Sequence, residues 1–302
     1  LKCPACPRVI NPEEREVGHM SKELWQTILT ECKNNGLPAM LMDHEAESMM
    51  NPRFFEMVNE ANQAGIIDIW LHTNANMLNE KRSEQLIKSG INKINFSIDA
   101  TTPETYDIVR PGGSFERVIE NIKNFLKKKQ EHQAHYLRTR VSFVEQDANS
   151  HERADFFNYW REVPGLNLIT FQVCLDFLPF EKPDDDSEAT PEQLESKYKD
   201  DEPFHCSAPW QQPIVDVEGN VIPCGQPVRK HNEDFILGNI HNGDTIKSCW
   251  NGQQMNDLRD LHDRGEWYKN PMCRVCVNTS RSSVGQAFER GGSDYMEGTI
   301  VE

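Results

Sequence analysis

Between residues 21 and 177 the chain alternates helix-period and strand-period segments almost without a break, and nothing else in it restricts the fold as strongly. "SKELWQTILTECKNNG" (21–36) begins with a Ser N-cap, repeats apolar residues every three or four positions and stops at Gly36. "LPAMLMDH" (37–44) predicts a strand, and "NPRFFEMVNEANQAG" (51–65) a helix with Pro in its first turn and Gly at its end. Strand 66–74, helix 79–90, strand 91–99, helical stretches 102–110 and 114–132, strand 137–144, helix 150–163 and strand 167–177 follow. Such alternation means a parallel sheet with helices packed outside it, an α/β fold.

Successive strand residues point to opposite faces, so each strand sorts its own side chains. Ile94, Phe96 and Ile98 fall on one face, and Lys93, Asn95, Ser97 and Asp99 on the other. In the last strand Ile169, Phe171, Val173 and Leu175 share one face, and Thr170, Gln172, Cys174 and Asp176 the other. The covering helices need the apolar faces. The polar faces then line an interior, to which His72, Asn74 and Arg140 also belong. Gln172, Cys174 and Asp176 are the candidate catalytic residues. Cys174 has two readings there, a packed thiol or a hydrogen-atom donor to a substrate radical.

The pattern changes at 181–202, "EKPDDDSEATPEQLESKYKDDE", which is acidic, has no sustained apolar face and is expected to be a linker or loop. The expected organisation is a sheet domain at 1–180, that linker, a compact cysteine region at 203–277 and an irregular tail at 278–302. A formal net charge of −16 repels phosphate backbones and argues against nucleic acid as a partner. No run of about 18 apolar residues suggests a membrane partner.

The nine cysteines are an odd number in a chain too long to need stapling, so thiolate chemistry in a reducing, cytoplasmic setting is expected rather than disulfides. Cys206 and Cys224 flank a predicted hairpin turning at Glu218-Gly219-Asn220, and Cys273 and Cys276 form a C-x2-C knuckle. Four thiolates gathered this way suit zinc or an iron–sulfur cluster equally well on spacing alone. Cys32, within a helix, and Cys249, before Trp250, are expected to be packing thiols. Cys3 and Cys6, taken alone, could be a zinc knuckle or free thiols.

Set beside their downstream landmarks, however, they carry a resemblance. "LKCPACPR" is similar to the end of the C-x3-C-x2-C signature of the radical S-adenosylmethionine (radical SAM) superfamily. Cys3 and Cys6 match the second and third ligands, and the first is expected two residues before Leu1. "EAESMMNPRFF" (45–55) resembles the family's Gly-Gly-Glu-Pro turn, "TNANML" (73–78) the close of its third strand, and "INFSIDATTPETYDIVRPGGSFERVIENI" its fourth strand and following helix. "CSAPW", "VDVEGNVIPC", "LGNI", "WNG" and the C-x2-C resemble the C-terminal SPASM/twitch extension, here with four cysteines, the twitch arrangement. Two departures stand out. Glu45-Ala46-Glu47 replaces Gly-Gly-Glu, and Ala5 replaces the frequent aromatic residue before the third cysteine.

The resemblance implies a partial (β/α)6 barrel with a small C-terminal iron–sulfur domain. It implies two 4Fe–4S clusters, one at Cys3 and Cys6 that binds SAM and one auxiliary at Cys206, Cys224, Cys273 and Cys276. SAM would meet the turn Glu45, Ala46, Glu47 together with Asn74, Ser97, Asp99 and Arg140, the last at its carboxylate. A flavodoxin or ferredoxin would donate the electron. The reaction expected is dehydrogenation of a sugar or cyclitol. Epimerisation of a sugar or peptide and cross-linking of a ribosomal peptide are the enzymatic alternatives, and a non-catalytic zinc module is the alternative of another class.

Overall fold

The computed structural model describes residues 1–10, 18–44, 46–175, 186–199, 204, 206–225, 235–289 and 296–300. The chain divides into two compact units. The first takes Leu1–Val9, Cys32–Cys174 and Val284–Glu302, and the second Ile10–Glu31 and Leu175–Ser283.

Five strands build the first unit: β1 (Ala39–Leu41), β2 (Asp68–Thr73), β3 (Lys93–Ser97), β4 (Arg138–Glu145) and β5 (Leu168–Val173). They pair in parallel and in chain order. The predicted face assignment holds. Phe96 packs edge-on to Phe125 of helix Phe115–Glu131, and Phe143 to Phe156 of helix Arg153–Trp160, so the apolar faces of β3 and β4 meet the helices. Fully burying such a ring contributes about 1.5–3 kcal/mol, and Phe96→Ala would cost about 3–5 kcal/mol with its cavity. The opposite, polar face lines the lumen of the partial barrel.

The sheet ends differently from expectation. Its sixth strand, β9 (Met296–Ile300), pairs antiparallel to β5, where the sequence predicts irregular tail. The second unit holds a three-stranded sheet of β6 (Ile214–Val215), β7 (Asn220–Ile222) and β8 (Gly238–Asn239). The predicted hairpin is there. Asp216 Oδ1 accepts from the N–H groups of Glu218 and Asn220 at 2.9 Å each, and Gly219 supplies the left-handed residue at φ 82°. The supposed linker also contains helix Pro191–Tyr198. A capping box between Thr190 and Gln193 starts it, and Leu194 and Tyr198 bury themselves against Trp267, Tyr268 and Val277. Two apolar side chains one turn apart anchor so short a helix, too few to register as a sustained face. Among the described residues no helix is long and apolar enough to cross a membrane.

Candidate active site and cluster sites

Cys3 and Cys6 stand on an N-terminal turn in which Cys6 N–H donates to the Cys3 carbonyl at 3.0 Å, and Lys2 N–H donates to the Pro111 carbonyl at 2.9 Å. Burial raises the Cys3 thiol's pKa, and the Arg110 guanidinium opposes that rise. Arg110 is itself buried, which works against its charge, yet Asp99 and Cys3 outweigh that effect and hold it protonated. Its Nε donates to Asp99 Oδ2 at 2.9 Å. Asp99 sits at φ 62°, in left-handed backbone, and three contacts keep it there: Arg110, the Val144 N–H at 2.8 Å to Oδ1, and Asn149 Nδ2 at 2.9 Å to its carbonyl. The Asp99 carboxylate, a candidate SAM ligand by sequence, is thus engaged by Arg110 and Val144. A fixed cation beside a thiol suits a negatively charged thiolate-ligated cluster.

Deeper in the lumen, one register row crosses β2, β3 and β4. His72 on β2 pairs in register with Asn95 on β3, and Asn95 with Arg140 on β4. Asp43, just after β1, accepts the His72 N–H at 2.7 Å on Oδ1 and meets His72 Nδ1 at 3.0 Å with Oδ2. Arg140 Nη2 lies 3.2 Å from His72 Nε2, and its Nε donates to Asn95 Oδ1 at 2.9 Å. Arg140 can only donate, so His72 Nε2 is the acceptor and Nδ1 carries the proton toward Asp43. Desolvation by burial lowers the Arg140 pKa. Below this row Trp70, Lys93 and Asp68 fill the floor, with Lys93 Nζ 4.1 Å from the Trp70 ring centre and 2.7 Å from Asp68.

Above the row come Asn74, Ser97, Ser142 and Thr170, the inward residues of the next layer. Ser97 Oγ lies 3.5 Å from Asn95 Nδ2. Glu47 reaches into the wall: its carboxylate accepts from Thr73 Oγ1 at 2.9 Å and from the Asn74 N–H at 2.9 Å. Burial nevertheless raises its pKa. Ala46 is exposed, and Glu45 lies outside the described residues. On β5 Gln172 is half-buried, and beyond it Cys174, also half-buried, donates its N–H to the Glu145 carbonyl at 3.1 Å. Asp176 lies outside the described residues.

In the second unit, Cys273 and Cys276 occupy the first turns of helix Pro271–Glu289, three apart and therefore on one face. Asn270 Oδ1 accepts the Cys273 N–H at 3.0 Å and fixes that turn. Cys224 follows β7 and packs with Cys273 and Cys276 against Phe235, Met255, Leu258 and Met272. Burial drives the Cys273 thiol well up, and Cys224, Cys276 and Cys206 add to it. Burial, then Cys224 and Cys206, push Cys276 up to about 12. Burial beside other cysteines disfavours ionisation of Cys273 and Cys276, a cost that a cationic group taking thiolates would offset. Among the described residues no three His, Cys, Asp or Glu side chains close in on a single ion. Cys206 and His262 face a recess of about 240 Å³ shared with Ser207, Trp210 and Asp263. Cys32 and Cys249 are buried packing residues, as expected, and Gly238 has no room for a side chain because a Cβ there would sit 2.7 Å from Cys249 Sγ.

Residues 1–139 match the sequence profile of the radical SAM superfamily, and residues 206–277 that of the SPASM iron–sulfur cluster-binding domain. The chain belongs to the radical SAM superfamily and carries a SPASM-type cluster-binding domain. A probable GTP 3′,8-cyclase of Methanocaldococcus jannaschii is 25% identical over 175 residues, 58% of this chain and 51% of that one, so the chain spans about half the length of this curated relative. Native anSMEcpe with bound AdoMet superposes with a TM-score of 0.65 at 17% identity, covering 96% of this chain and 93% of that one. BtrN in complex with AdoMet and 2-DOIA gives 0.57 at 16%, over 90% and 86%. At those identities the likeness establishes the fold. Radical SAM membership brings SAM and 4Fe–4S clusters, one of them auxiliary, as cofactors.

Strand parity in the sequence pointed to His72 and Arg140, but not to their junction with Asp43. Arg110 stands at the end of the predicted helical stretch 102–110, just past helix Pro103–Val109, and its role was not legible from the sequence. His262 was missed altogether, although Met255, Leu258 and His262 lie on one helical face.

Proposed function

We propose that this radical SAM enzyme dehydrogenates a small polar alcohol, of the sugar or cyclitol class. The observation that carries the reading is the number of thiols at the second site. Four cysteines can saturate a cubane and leave no iron for substrate, which suits an electron acceptor. When SAM is bound at a reduced first cluster, it supplies a 5′-deoxyadenosyl radical that removes hydrogen from an unactivated C–H.

The chain's own residues divide the remaining work. Cys3 and Cys6 ligate the first cluster, and Arg110 balances thiolate charge beside them. Asn74, Ser97 and the turn Glu45, Ala46, Glu47 bound the SAM site. Arg140, already aimed by His72 and Asn95, pairs with the SAM carboxylate. Gln172 and Asp176 orient substrate by hydrogen bonds, and the packed lumen excludes water from the radical. Cys206, Cys224, Cys273 and Cys276 hold the acceptor for the second electron. A flavodoxin or ferredoxin in the cytoplasm supplies the first.

The test is anaerobic turnover of the full-length protein with SAM in deuterated water, against sugars, cyclitols and peptides. Dehydrogenation gives a product two hydrogens lighter with no deuterium on carbon. Half-buried Cys174, just past β5, favours a second reading, epimerisation with Cys174 returning the hydrogen. That reading requires one solvent deuterium at the inverted carbon and loss of inversion in Cys174→Ala with SAM cleavage retained.

A further inference from the structure

Helix Gln253–Asp263 buries Met255, Leu258 and His262, one face at i, i+3 and i+7. Met255 and Leu258 do what that face requires and pack with Phe235 and Met272 beside Cys224, Cys273 and Cys276. His262 continues the face but breaks its chemistry. It is 2% exposed, and its Nε2 lies 3.4 Å from Cys273 Sγ. Leucine would suit such a position by packing alone, whereas a buried imidazole must hydrogen-bond to offset its desolvation.

The geometry is held from both sides. Arg259, one turn earlier, donates to the Pro209 carbonyl at 2.9 Å and the Trp250 carbonyl at 2.8 Å, locking the helix in place. The Trp210 ring stands edge-on to the imidazole at 6.5 Å. On the other side Asn270 fixes the backbone of Cys273.

We propose that His262 donates its Nε2–H to the Cys273 thiolate and thereby raises the reduction potential of the auxiliary cluster, making His262 a positioning residue for electron acceptance. A deprotonated sulfur has no hydrogen to give, so the imidazole nitrogen facing it is the donor. Reduction adds negative charge to a cluster and its sulfurs. A donor aimed at one of them therefore favours the reduced state more than the oxidised one. Burial strengthens that preference. The inference rests on the four-thiolate reading of this site and not on the identity of the substrate.

The test compares wild type, His262→Phe and His262→Gln, each in the full-length protein with Cys3→Ala and Cys6→Ala so that only the auxiliary cluster is present. Iron and sulfide are assayed, and the midpoint potential is read by redox titration with electron paramagnetic resonance. His262→Phe keeps the ring and removes the donor. Its reduction equilibrium is expected to fall about tenfold, a midpoint about 59 mV lower. His262→Gln restores an N–H near the same place and is expected to return most of that shift. Loss of iron from the Phe variant alone, with the Gln variant near wild type in iron and potential, also supports the proposal. Equal potentials in all three proteins overturn it, as does loss of iron from both variants, which would make His262 a packing residue. A wild-type background without iron or sulfide would instead overturn the four-thiolate reading beneath it.

Discussion

Buried ionisable groups in the sheet unit come with partners of their own: Arg110 with Asp99, His72 with Asp43, Arg153 with Glu145. In the cysteine unit burial first, and then the neighbouring cysteines, raise the pKa values of Cys273 and Cys276. The first arrangement satisfies its charges from within and can hold its shape before any ligand arrives. If its four cysteines hold the auxiliary cluster as proposed, the second becomes compatible only around a shared cationic centre, and its folding free energy is coupled to that centre.

The largest effect that could break this contrast belongs to Cys276→Ala. About four of roughly eight irons per chain should be lost, together with the matching sulfide and much of the thermal stability of the cysteine unit. Unchanged iron and an unchanged melting profile would show that unit to be as self-sufficient as the sheet.

Next in size is Arg110→Met, which leaves the buried Asp99 charge without its cation and should cost about 3–5 kcal/mol in urea denaturation. A loss below about 1 kcal/mol, the range of an exposed pair, would mean that the sheet unit does not depend on internal pairing.

Asp43→Asn sharpens the comparison further. An asparagine offers one acceptor where Asp43 now meets two His72 groups. Either the His72 N–H loses its acceptor, or the imidazole changes tautomer and presents Nε2–H to Arg140. The expected cost is about 1–3 kcal/mol, with weaker SAM binding by calorimetry. Full stability and affinity would show that the row does not aim Arg140.

The smallest effect concerns Glu47. Burial raises its folded pKa, so between its ordinary value and that raised value the folded state binds more protons than the unfolded state. This contribution to stability is greatest at low pH and is lost as pH rises through the folded pKa. In Glu47→Gln that slope should vanish from the pH dependence of the denaturation midpoint. An identical slope in the variant would place the titration elsewhere.

Much of the sheet unit could be read from sequence because period-2 alternation is local: Ile94 and Phe96 against Asn95 and Ser97 already state which side is inside. The partners are not local. Arg140 meets His72 only because β2, β3 and β4 share a register that no single strand encodes. The hairpin turn at Glu218-Gly219-Asn220 was legible in the second unit, and cysteine spacing raised the expectation of a second cluster there. His262 was not, because a histidine on an apolar helical face reads as ordinary core until its neighbour is known to be a thiol. Helix Pro191–Tyr198 was hidden by acidic residues around only two buried anchors, and β9 by a glycine-rich approach that gives no strand period.

The antiparallel pairing of Met296 with Gln172 and of Ile300 with Leu168 has a consequence for how the chain is made. Most of the cysteine unit separates the two strands in sequence, so on the ribosome the β5 edge stays open until residues 296–300 have emerged. Closing so long a loop is slow, and an unpaired central-type strand is a template for intermolecular pairing. Early cluster insertion, by compacting the intervening segment, would shorten the time that this edge is exposed. Iron supply during synthesis would then govern the yield of soluble protein as well as its cofactor content.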